Sequence, residues 1–445
     1  MQLYLLILFS FLSACNENSS QYTREDSELT LNTDEKNASQ ETSNIEEEKE
    51  AKEPDQLDPD IKDEKPKDPE PTEEVVEEEI TEEKKEENDE ESPPLVPPSA
   101  SAYFLYIAEF DAMQLSIYKF TVQDKSLAKI TSIPLIGSPS ALVISGDKLY
   151  LSALPGNIYV FKIDSKSGQL EQLQKFTHNQ RSLFLEIARD QKSLFSAEYY
   201  NHQVSVWKLN RNDGKIIEKL QTLSTPKFPH SVGIDPLQSN FYVPCKGSDK
   251  IYQYNWDNAA QIAAPLNAPS HVDVTTILTN APIYPRHIRF HPNLNFAYVS
   301  NEHDKSVSRY QISASGHLIN VDTYEAVAKN IAYIDDLASS DLRFSSTGKY
   351  LYMATRDTKH LGRDTISQFS VSQTGSLSLV ESQSTISFPR AFSLTNDDNL
   401  LLVAGEYSNS VQIFAIDPAS GKLSPLKTFE VGDRPYAIES IAESL

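Results

Sequence analysis

Residues able to bind anions and to move protons recur in two contexts after residue 100 of the chain. His230, Arg286 and Arg390 each follow a proline directly. A second charged set stands at the ends of short strand-like runs, as Glu198, Lys246, Glu302, Arg356 and Glu406. Guanidinium groups match carboxylates and phosphates, and an imidazole or a carboxylate can transfer a proton. If the fold gathers both sets, they would form an anionic-ligand site with a titratable pair.

A sevenfold repeat supplies the elements that would gather these residues. A β-branched residue followed three positions later by an aromatic residue recurs as Ile117/Phe120, Ile158/Phe161, Val204/Trp207, Ile251/Tyr254, Val307/Tyr310, Ile366/Phe369 and Val411/Phe414. Each copy follows a second strand-like run, and turn residues flank both runs. No helical period is sustained. Four short strands in each of seven copies predict an all-β, seven-bladed β-propeller.

The two ends of the repeat region predict how the ring closes. The first copy opens directly at a second strand, at residues 103–109, and the chain finishes on an unpartnered inner strand at residues 434–438. We therefore expect the C-terminal strand to complete the first blade. Since neighbouring strands of a blade alternate in direction, inner strands start on the face where second strands end. Both charged sets should then meet at one mouth of the central channel. We expect their charges to be paired or hydrated there, because burying a lone charge is unfavourable.

Several segments resemble the lactonase-type seven-bladed propeller family, which includes bacterial propeller 6-phosphogluconolactonases and fungal carboxymuconate-lactonizing enzymes. The most specific segment is Pro285-Arg286-His287-Ile288-Arg289-Phe290-His291-Pro292, followed by Asn301-Glu302 and Ser306-Val307. Pro229-His230-Ser231-Val232 and Pro389-Arg390-Ala391-Phe392 match as well. The resemblance covers all seven blades, residues 103–445.

The resemblance implies a metal-independent active site at the mouth, without a cofactor. It places the catalytic roles on His230, Glu302 and Arg286, and substrate binding on Arg390, Arg356 and His287. The implied reaction is lactone hydrolysis, in which Glu302 or His230 activates a water and Arg286 stabilises the oxyanion. Arg390 would hold a substrate carboxylate or phosphate. The choice of base stays open, because it depends on burial.

Each residue also has a purely structural interpretation. His230 and Arg286 could hydrogen-bond neighbouring inner strands, and Glu302 could simply pair with Arg286. We expect His287 and His291 to brace backbone or turns. Glu198 and Glu406 are expected on a solvated rim, and Cys245 is expected to be a buried strand residue.

Two classes of function remain open, because a fold alone does not decide function. One is a lactone hydrolase, and the other is a membrane-tethered propeller that binds a glycan, peptide or protein without catalysis. An open pocket faced by Glu302 and His230 would favour the enzyme, whereas a mouth capped by the inserted 358–363 loop would favour binding. No glycine-rich phosphate loop supports a redox role. The sequence predicts no oligomeric state.

An acidic segment precedes the repeats. The 445-residue chain has 64 acidic and 40 basic residues, a net charge of −24, and 31 of the acidic and 9 of the basic residues lie within 16–98. No aromatic residue occurs between Tyr22 and Tyr103. Such a segment cannot bury enough apolar surface to fold, so residues 15–98 are predicted to be a disordered tether before a domain at 99–445. The acidic balance argues against a nucleic-acid partner.

The N-terminus predicts why a tether exists. Residues 1–14 contain an apolar run, too short to span as a stop-transfer helix, and end at Leu12-Ser13-Ala14-Cys15. This ending resembles a bacterial lipoprotein signal, with cleavage before Cys15 and lipidation of its thiol, although the first residues carry no Lys or Arg. We expect an exported protein anchored to a bacterial membrane through Cys15, on the periplasmic or cell-surface side.

Overall fold

The computed structural model describes residues 100–444, apart from residues 268, 275–281 and 328–335. The described residues fall within the domain predicted at 99–445. The predicted signal at 1–14, the predicted tether at 15–98 and Cys15 lie outside the described residues.

The described residues form 29 β-strands and two single-turn 3₁₀ helices. The strands are, in chain order, β1 (Ala102–Glu109), β2 (Gln114–Thr121), β3 (Ser126–Pro134), β4 (Pro139–Ser145), β5 (Lys148–Ala153), β6 (Asn157–Ile163), β7 (Leu170–Thr177), β8 (Phe184–Ile187), β9 (Ser193–Glu198), β10 (Gln203–Leu209), β11 (Ile216–Ser224), β12 (Gly233–Ile234), β13 (Asn240–Cys245), β14 (Lys250–Asp257) and β15 (Ile262–Pro265). They continue as β16 (His271–Asp273), β17 (Pro285–Phe290), β18 (Phe296–Asn301), β19 (Ser306–Ile312), β20 (Leu318–Glu325), β21 (Leu337–Phe344), β22 (Tyr350–Asp357), β23 (Thr365–Val371), β24 (Leu377–Ser384), β25 (Pro389–Leu394), β26 (Leu400–Gly405), β27 (Ser410–Ile416), β28 (Leu423–Glu430) and β29 (Pro435–Ala442). The helices are Tyr199–Asn201 and Lys246–Ser248, and within the described ranges no helix has the length and apolar character needed to cross a membrane.

Seven antiparallel sheets confirm the predicted seven-bladed propeller. From the inside outward, the blades are β29-β1-β2-β3, β4 to β7, β8 to β11, β12 to β15, β17 to β20, β21 to β24 and β25 to β28, and β16 pairs with β14 in the fourth blade. The C-terminal strand β29 pairs with β1 from Tyr103↔Ala442 to Glu109↔Pro435. The first blade is therefore built from both ends of the domain, as the sequence predicts.

The repeated β-branched and aromatic pair holds neighbouring blades together. On β2, Ile117 and Phe120 are both fully buried. Residues three apart on a strand point to opposite faces, so Ile117 packs with Leu149 of the next blade, while Phe120 packs with Leu402 of the preceding blade. All seven pairs divide in this way. The motif thus builds seven interblade cores, which fix the inner strands around the channel.

A β-bulge sits at the start of several inner strands, where the predicted site residues lie. In β25, Pro389 pairs with Gly405 and Ala391 with Ala404, which leaves Arg390 as the extra residue. The pairing of the inner strand with the second strand also shifts register near the start of β4, β17, β21 and β29. Bulges re-aim side chains and are common beside active sites. The bulge therefore accounts for the way in which residues after the prolines reach the channel mouth.

Candidate active site

A cavity of about 320 Å³ lies at the inner strands of the channel. Four of the predicted site residues line it, namely His230, Arg286, His287 and Arg390. Glu302, Arg356 and the 358–363 loop are not among the described residues that line the cavity. The proline-linked set therefore shares one cavity, and two members of the second set contact it, Glu302 through Arg286 and Glu406 through Arg390.

Glu302 follows β18 and is held by three cations. Its Oε1 lies 2.9 Å from Lys246 Nζ and 2.9 Å from Arg356 Nη2, and its Oε2 lies 3.4 Å from Arg286 Nε. Burial alone would raise the pKa of this carboxyl, but the three cations outweigh it and hold the pKa well below its usual range. Glu302 is therefore an ionised anchor for the Arg286 side chain.

Arg286 carries the positive charge at the cavity wall. It is almost completely buried, at 3% exposure. Burial, followed by repulsion from Arg356, lowers its pKa to about 9, so the guanidinium remains charged at neutral pH. Its Nη1 lies 3.4 Å from His287 Nε2. The cation and the imidazole therefore point at the same part of the cavity.

Arg390 forms a second cationic position with an aromatic support. Its guanidinium carbon lies 3.7 Å from the ring centroid of Tyr436, which also lines the cavity. Its Nη1 lies 3.6 Å from Glu406 Oε2, and Arg434 Nη2 lies 2.8 Å from the other oxygen of that carboxylate. Arg390 shares Glu406 with Arg434, so it keeps more net positive charge than a one-to-one pair would leave.

The expectation of a solvated rim at Glu198 and Glu406 is wrong. Both carboxylates are fully buried, with at most 1% exposure. Glu198 accepts hydrogen bonds from the hydroxyls of Ser196 and Ser205, at 3.0 and 3.1 Å. The ends of the second strands are covered by their own blades and, for Glu406, by Arg434 of the closing segment. Strand spacing alone does not reveal that cover.

Two histidines face each other in the cavity wall. The ring centroids of His230 and His287 are 5.2 Å apart. Burial, reinforced by Arg286, lowers both pKa values, that of His287 to about 3, so both imidazoles are neutral at pH 7. His230 Nδ1 is buried without a hydrogen-bond partner within the described ranges. His287 Nδ1 hydrogen-bonds Asp341 Oδ1 at 2.9 Å.

His291 and Cys245 take the structural roles expected for them. His291 Nε2 lies 3.1 Å from the carbonyl of Gly348, and its Nδ1 accepts the backbone N–H groups of Asn293 and Leu294 at 3.0 Å each, which braces a turn. Cys245 is buried on β13, and burial raises the pKa of its thiol to about 12. In the part of the chain that the structure describes, no group of three or more His, Cys, Asp or Glu is placed to hold a metal ion.

A second group of charged residues on the inner strands, which was not predicted from the sequence, lines the same cavity. It consists of Glu186, Arg289, Asp341, Arg343 and Glu439. Arg343 joins two of them, with Nε 3.1 Å from Asp341 Oδ2 and Nη2 2.8 Å from Glu439 Oε1. Burial raises the pKa of Glu186 to about 7. Aligning the blades on their prolines would have given a signal for Arg289 and Glu439 alone, because each lies four residues after such a proline, whereas the inner strands of the other three residues have none.

Comparison with known proteins agrees with this architecture. The family model described as lactonase, 7-bladed beta-propeller, matches residues 104–439. The chain belongs to this family. It is 30% identical over 343 residues to the 6-phosphogluconolactonase of Pectobacterium carotovorum, covering 76% of this chain and 98% of that protein. The identity to the Pectobacterium atrosepticum 6-phosphogluconolactonase is 29% over 342 residues, with the same shares covered.

Solved structures show the same fold in this lactonase family member. The periplasmic gluconolactonase of Pseudomonas aeruginosa superposes with a TM-score of 0.68 at 23% identity, covering 77% of this chain and all of that one. A Lactobacillus plantarum protein superposes with a TM-score of 0.67 at 19% identity, covering 76% of this chain and 99% of that one.

Proposed function

We propose that this propeller hydrolyses a lactone in the cavity at the channel mouth. The observation that carries the proposal is that Arg286 and the two imidazoles share one cavity wall, with Arg286 Nη1 3.4 Å from His287 Nε2. A cationic donor can stabilise the oxyanion that forms when water attacks a carbonyl, and a neutral imidazole can take the proton of that water. The family and the curated lactonase relatives support the same reaction class.

The proposed reaction uses the wall residues in turn. Arg286 stabilises the oxyanion that develops on the lactone carbonyl when water attacks. An imidazole of the wall, that of His230 or His287, takes the proton of the water, because both are neutral at pH 7. Glu302 is the weaker candidate for the base, since both of its oxygens are engaged by cations. Its proposed role is to position Arg286.

The proposed substrate carries an anionic group that Arg390 binds. Arg390 lines the cavity, and the Tyr436 ring supports its guanidinium. A guanidinium held in this way can bind a carboxylate or a phosphate in a bidentate manner. The curated relatives named above are 6-phosphogluconolactonases, so 6-phosphogluconolactone is the first substrate to test.

The alternative, a propeller that only binds a glycan, peptide or protein, receives less support. The 358–363 loop would favour it by capping the mouth, yet this loop does not line the cavity among the described residues. Arg363 ties the loop to Asp357, with Nη2 2.7 Å from Oδ1. Of the two residues expected to face an open pocket, His230 lines the cavity and Glu302 does not, so that criterion is met only in part. Glu302 contacts the cavity residue Arg286, and the shared wall of His230 and Arg286 favours chemistry over binding at the rim.

We also propose, on the sequence of residues 1–15 alone, that the protein acts outside the cytoplasm and is held by a lipid on Cys15. Metabolic labelling with a palmitate analogue would test this, since the label should be lost in Cys15→Ala. Labelling that persists in this variant would contradict the anchor and leave the lactonase proposal untouched.

The reaction is tested with the full chain, purified in detergent, in a pH-stat against a panel of lactones that includes 6-phosphogluconolactone. We expect acid release that falls by about 10²–10³ in kcat for Arg286→Ala, the loss typical of removing one oxyanion donor. Arg189→Ala is the matched control, because Arg189 is an exposed arginine outside the cavity lining. No turnover of any lactone by the wild type would overturn the proposed function.

A further inference from the structure

His287 and Asp341 form a buried pair across two neighbouring blades. His287 lies on β17 and Asp341 on β21, and both line the cavity. His287 Nδ1 lies 2.9 Å from Asp341 Oδ1. The side chains are 10% and 3% exposed. The contact is therefore shielded from water and depends on the relative placement of the two inner strands.

The surroundings of Asp341 keep its carboxylate ionised. Oδ1 also accepts the backbone N–H of Leu342 at 2.9 Å, and Oδ2 accepts Arg343 Nε at 3.1 Å. Burial opposes ionisation, but Arg343 and His287 outweigh it and hold the pKa of Asp341 well below its usual range. An ionised carboxylate only accepts hydrogen bonds. The neutral imidazole of His287 must therefore carry its proton on Nδ1.

This tautomer leaves the lone pair of His287 on Nε2, where it accepts one long hydrogen bond from Arg286 Nη1 at 3.4 Å. A substrate carbonyl that accepts this N–H instead would free the lone pair for a water. The proton acceptor and the oxyanion donor are thus adjacent. The other candidates lack this arrangement. Three cations engage both oxygens of the ionised Glu302, and His230 Nδ1 has no hydrogen-bond partner among the described residues.

We propose that His287 is the general base of the lactone hydrolysis and that Asp341 is its positioning residue. The inference rests on the proposed function. His287 Nε2 takes a proton from water while the water oxygen bonds to the carbonyl carbon and the carbonyl electron pair moves to oxygen beside Arg286. The tetrahedral intermediate then collapses, the bond from carbon to the ring oxygen breaks, and the imidazolium returns the proton to that oxygen. The product is the open hydroxy acid, and no other reactant is consumed.

The test measures kcat and KM of the full chain with the lactone that the wild type turns over fastest. We expect His287→Ala to lower kcat by about 10²–10⁴, the usual contribution of a general base, with KM changed by less than about threefold. Added imidazole should restore part of the lost kcat, because the truncation leaves space in the cavity wall for it. Asp341→Asn should lower kcat similarly, since an amide can donate to Nδ1 and place the imidazole proton on Nε2.

His291→Asn is the matched control, because it removes a buried histidine of the same motif that braces a turn outside the cavity lining. It should keep the wild-type kcat and gain nothing from imidazole. If His287→Ala keeps kcat within about threefold, or loses it without any imidazole rescue, the inference is wrong while the wild-type activity stands. If Asp341→Asn does not fold, the imidazole experiment still decides. An inactive wild type would refute the proposed function before any variant is measured.

Discussion

Arg390 places its guanidinium carbon 3.7 Å from the ring centroid of Tyr436, and each is the second residue of its inner strand in neighbouring blades. Each is the extra residue of a β-bulge directly after a proline. The same local irregularity in two blades thus brings a cation and its aromatic platform together. Their contact is also a contact between the last two inner strands of the chain.

Removing the ring of Tyr436 should weaken substrate binding. A cation–π contact contributes about 0.5–2 kcal/mol, which corresponds to roughly a 2- to 30-fold change in a binding constant. We expect Tyr436→Leu to raise KM for an anionic lactone by this factor with little change in kcat. Tyr436→Phe keeps the ring and should retain the wild-type KM. Equal KM values in both variants would show that the ring does not support Arg390 in binding.

Neutralising Glu302 should destabilise the fold at neutral pH. Glu302→Gln leaves Lys246, Arg286 and Arg356 without their shared carboxylate, and breaking a buried ion pair costs about 3–5 kcal/mol. The folded-state pKa of Glu302 is depressed, so its stabilisation is complete above the ordinary value of 4.5 and is lost as pH falls through the folded pKa. Urea unfolding should therefore show a constant gap between wild type and variant from pH 7 to pH 5, and a smaller gap in stronger acid.

The partly exposed ion pair of Lys119 and Glu443 serves as the control for the stability loss expected in Glu302→Gln. Lys119 Nζ lies 2.6 Å from Glu443 Oε1, and Glu443→Gln should change the unfolding free energy by less than about 1 kcal/mol, as surface pairs do. If Glu302→Gln costs no more than Glu443→Gln, the three cations are not held by Glu302.

The lactonase activity should remain nearly constant when the pH is lowered from neutral to mildly acidic values. A base works only when it is unprotonated, and burial lowers the pKa of His287 to about 3 and that of His230 well below 6.5. We therefore expect kcat/KM to stay level from pH 7 to about pH 5, and to fall only as pH drops toward the lowered values. Initial rates by pH-stat or by an indicator assay over pH 4–7 would measure this. An acid limb centred near pH 6.5 would mean either that the base is a solvated histidine or that Glu186, whose pKa is raised to about 7 in the same cavity, must be ionised. Glu186→Gln would remove the limb only in the second case.

Substituting two glycines by alanine would distinguish the cost of backbone strain from the cost of steric overlap. Gly168 and Gly362 both have a left-handed backbone, with φ of 71° and 79°. A Cβ on Gly168 would overlap the Phe104 ring, whereas a Cβ on Gly362 would have no atom within 4 Å. Gly362→Ala should cost about 1–2 kcal/mol for the strained conformation alone. Gly168→Ala should cost clearly more, as a larger fall in the thermal unfolding midpoint, and equal falls would contradict the crowding at Phe104.

The sequence predicts the architecture and the proline-linked residues well, because those signals are local. A proline at a repeat boundary, directly before each residue, marks His230, Arg286 and Arg390 without any knowledge of packing. The predicted second strands, at residues 149–154, 194–199, 241–246 and 296–302, agree with β5, β9, β13 and β18 to within one residue at each end.

What the sequence could not provide depends on neighbours from other blades. Asp341 lies in a run of Leu, Ala and Ser, and only its hydrogen bond to His287 of the adjacent blade marks it as part of the site. The burial of Glu406 depends on Arg434, which reaches it from the closing segment. Whether Glu302 lines the cavity or stands beside Arg286 depends on the direction of one side chain, which strand alternation does not fix at the end of a strand.

The strand that closes the ring also carries Tyr436 and Glu439 into the cavity wall. Of all the strands of the propeller, β29 is the last to be synthesised, and its partner β1 is the first. A nascent chain therefore holds β1 unpaired on one edge until the other six blades exist, and the cavity lacks one wall for the same period. The cavity is therefore complete only when β29 has been synthesised and has paired with β1. A chain that stops before residue 435 would have both an open ring and an incomplete site.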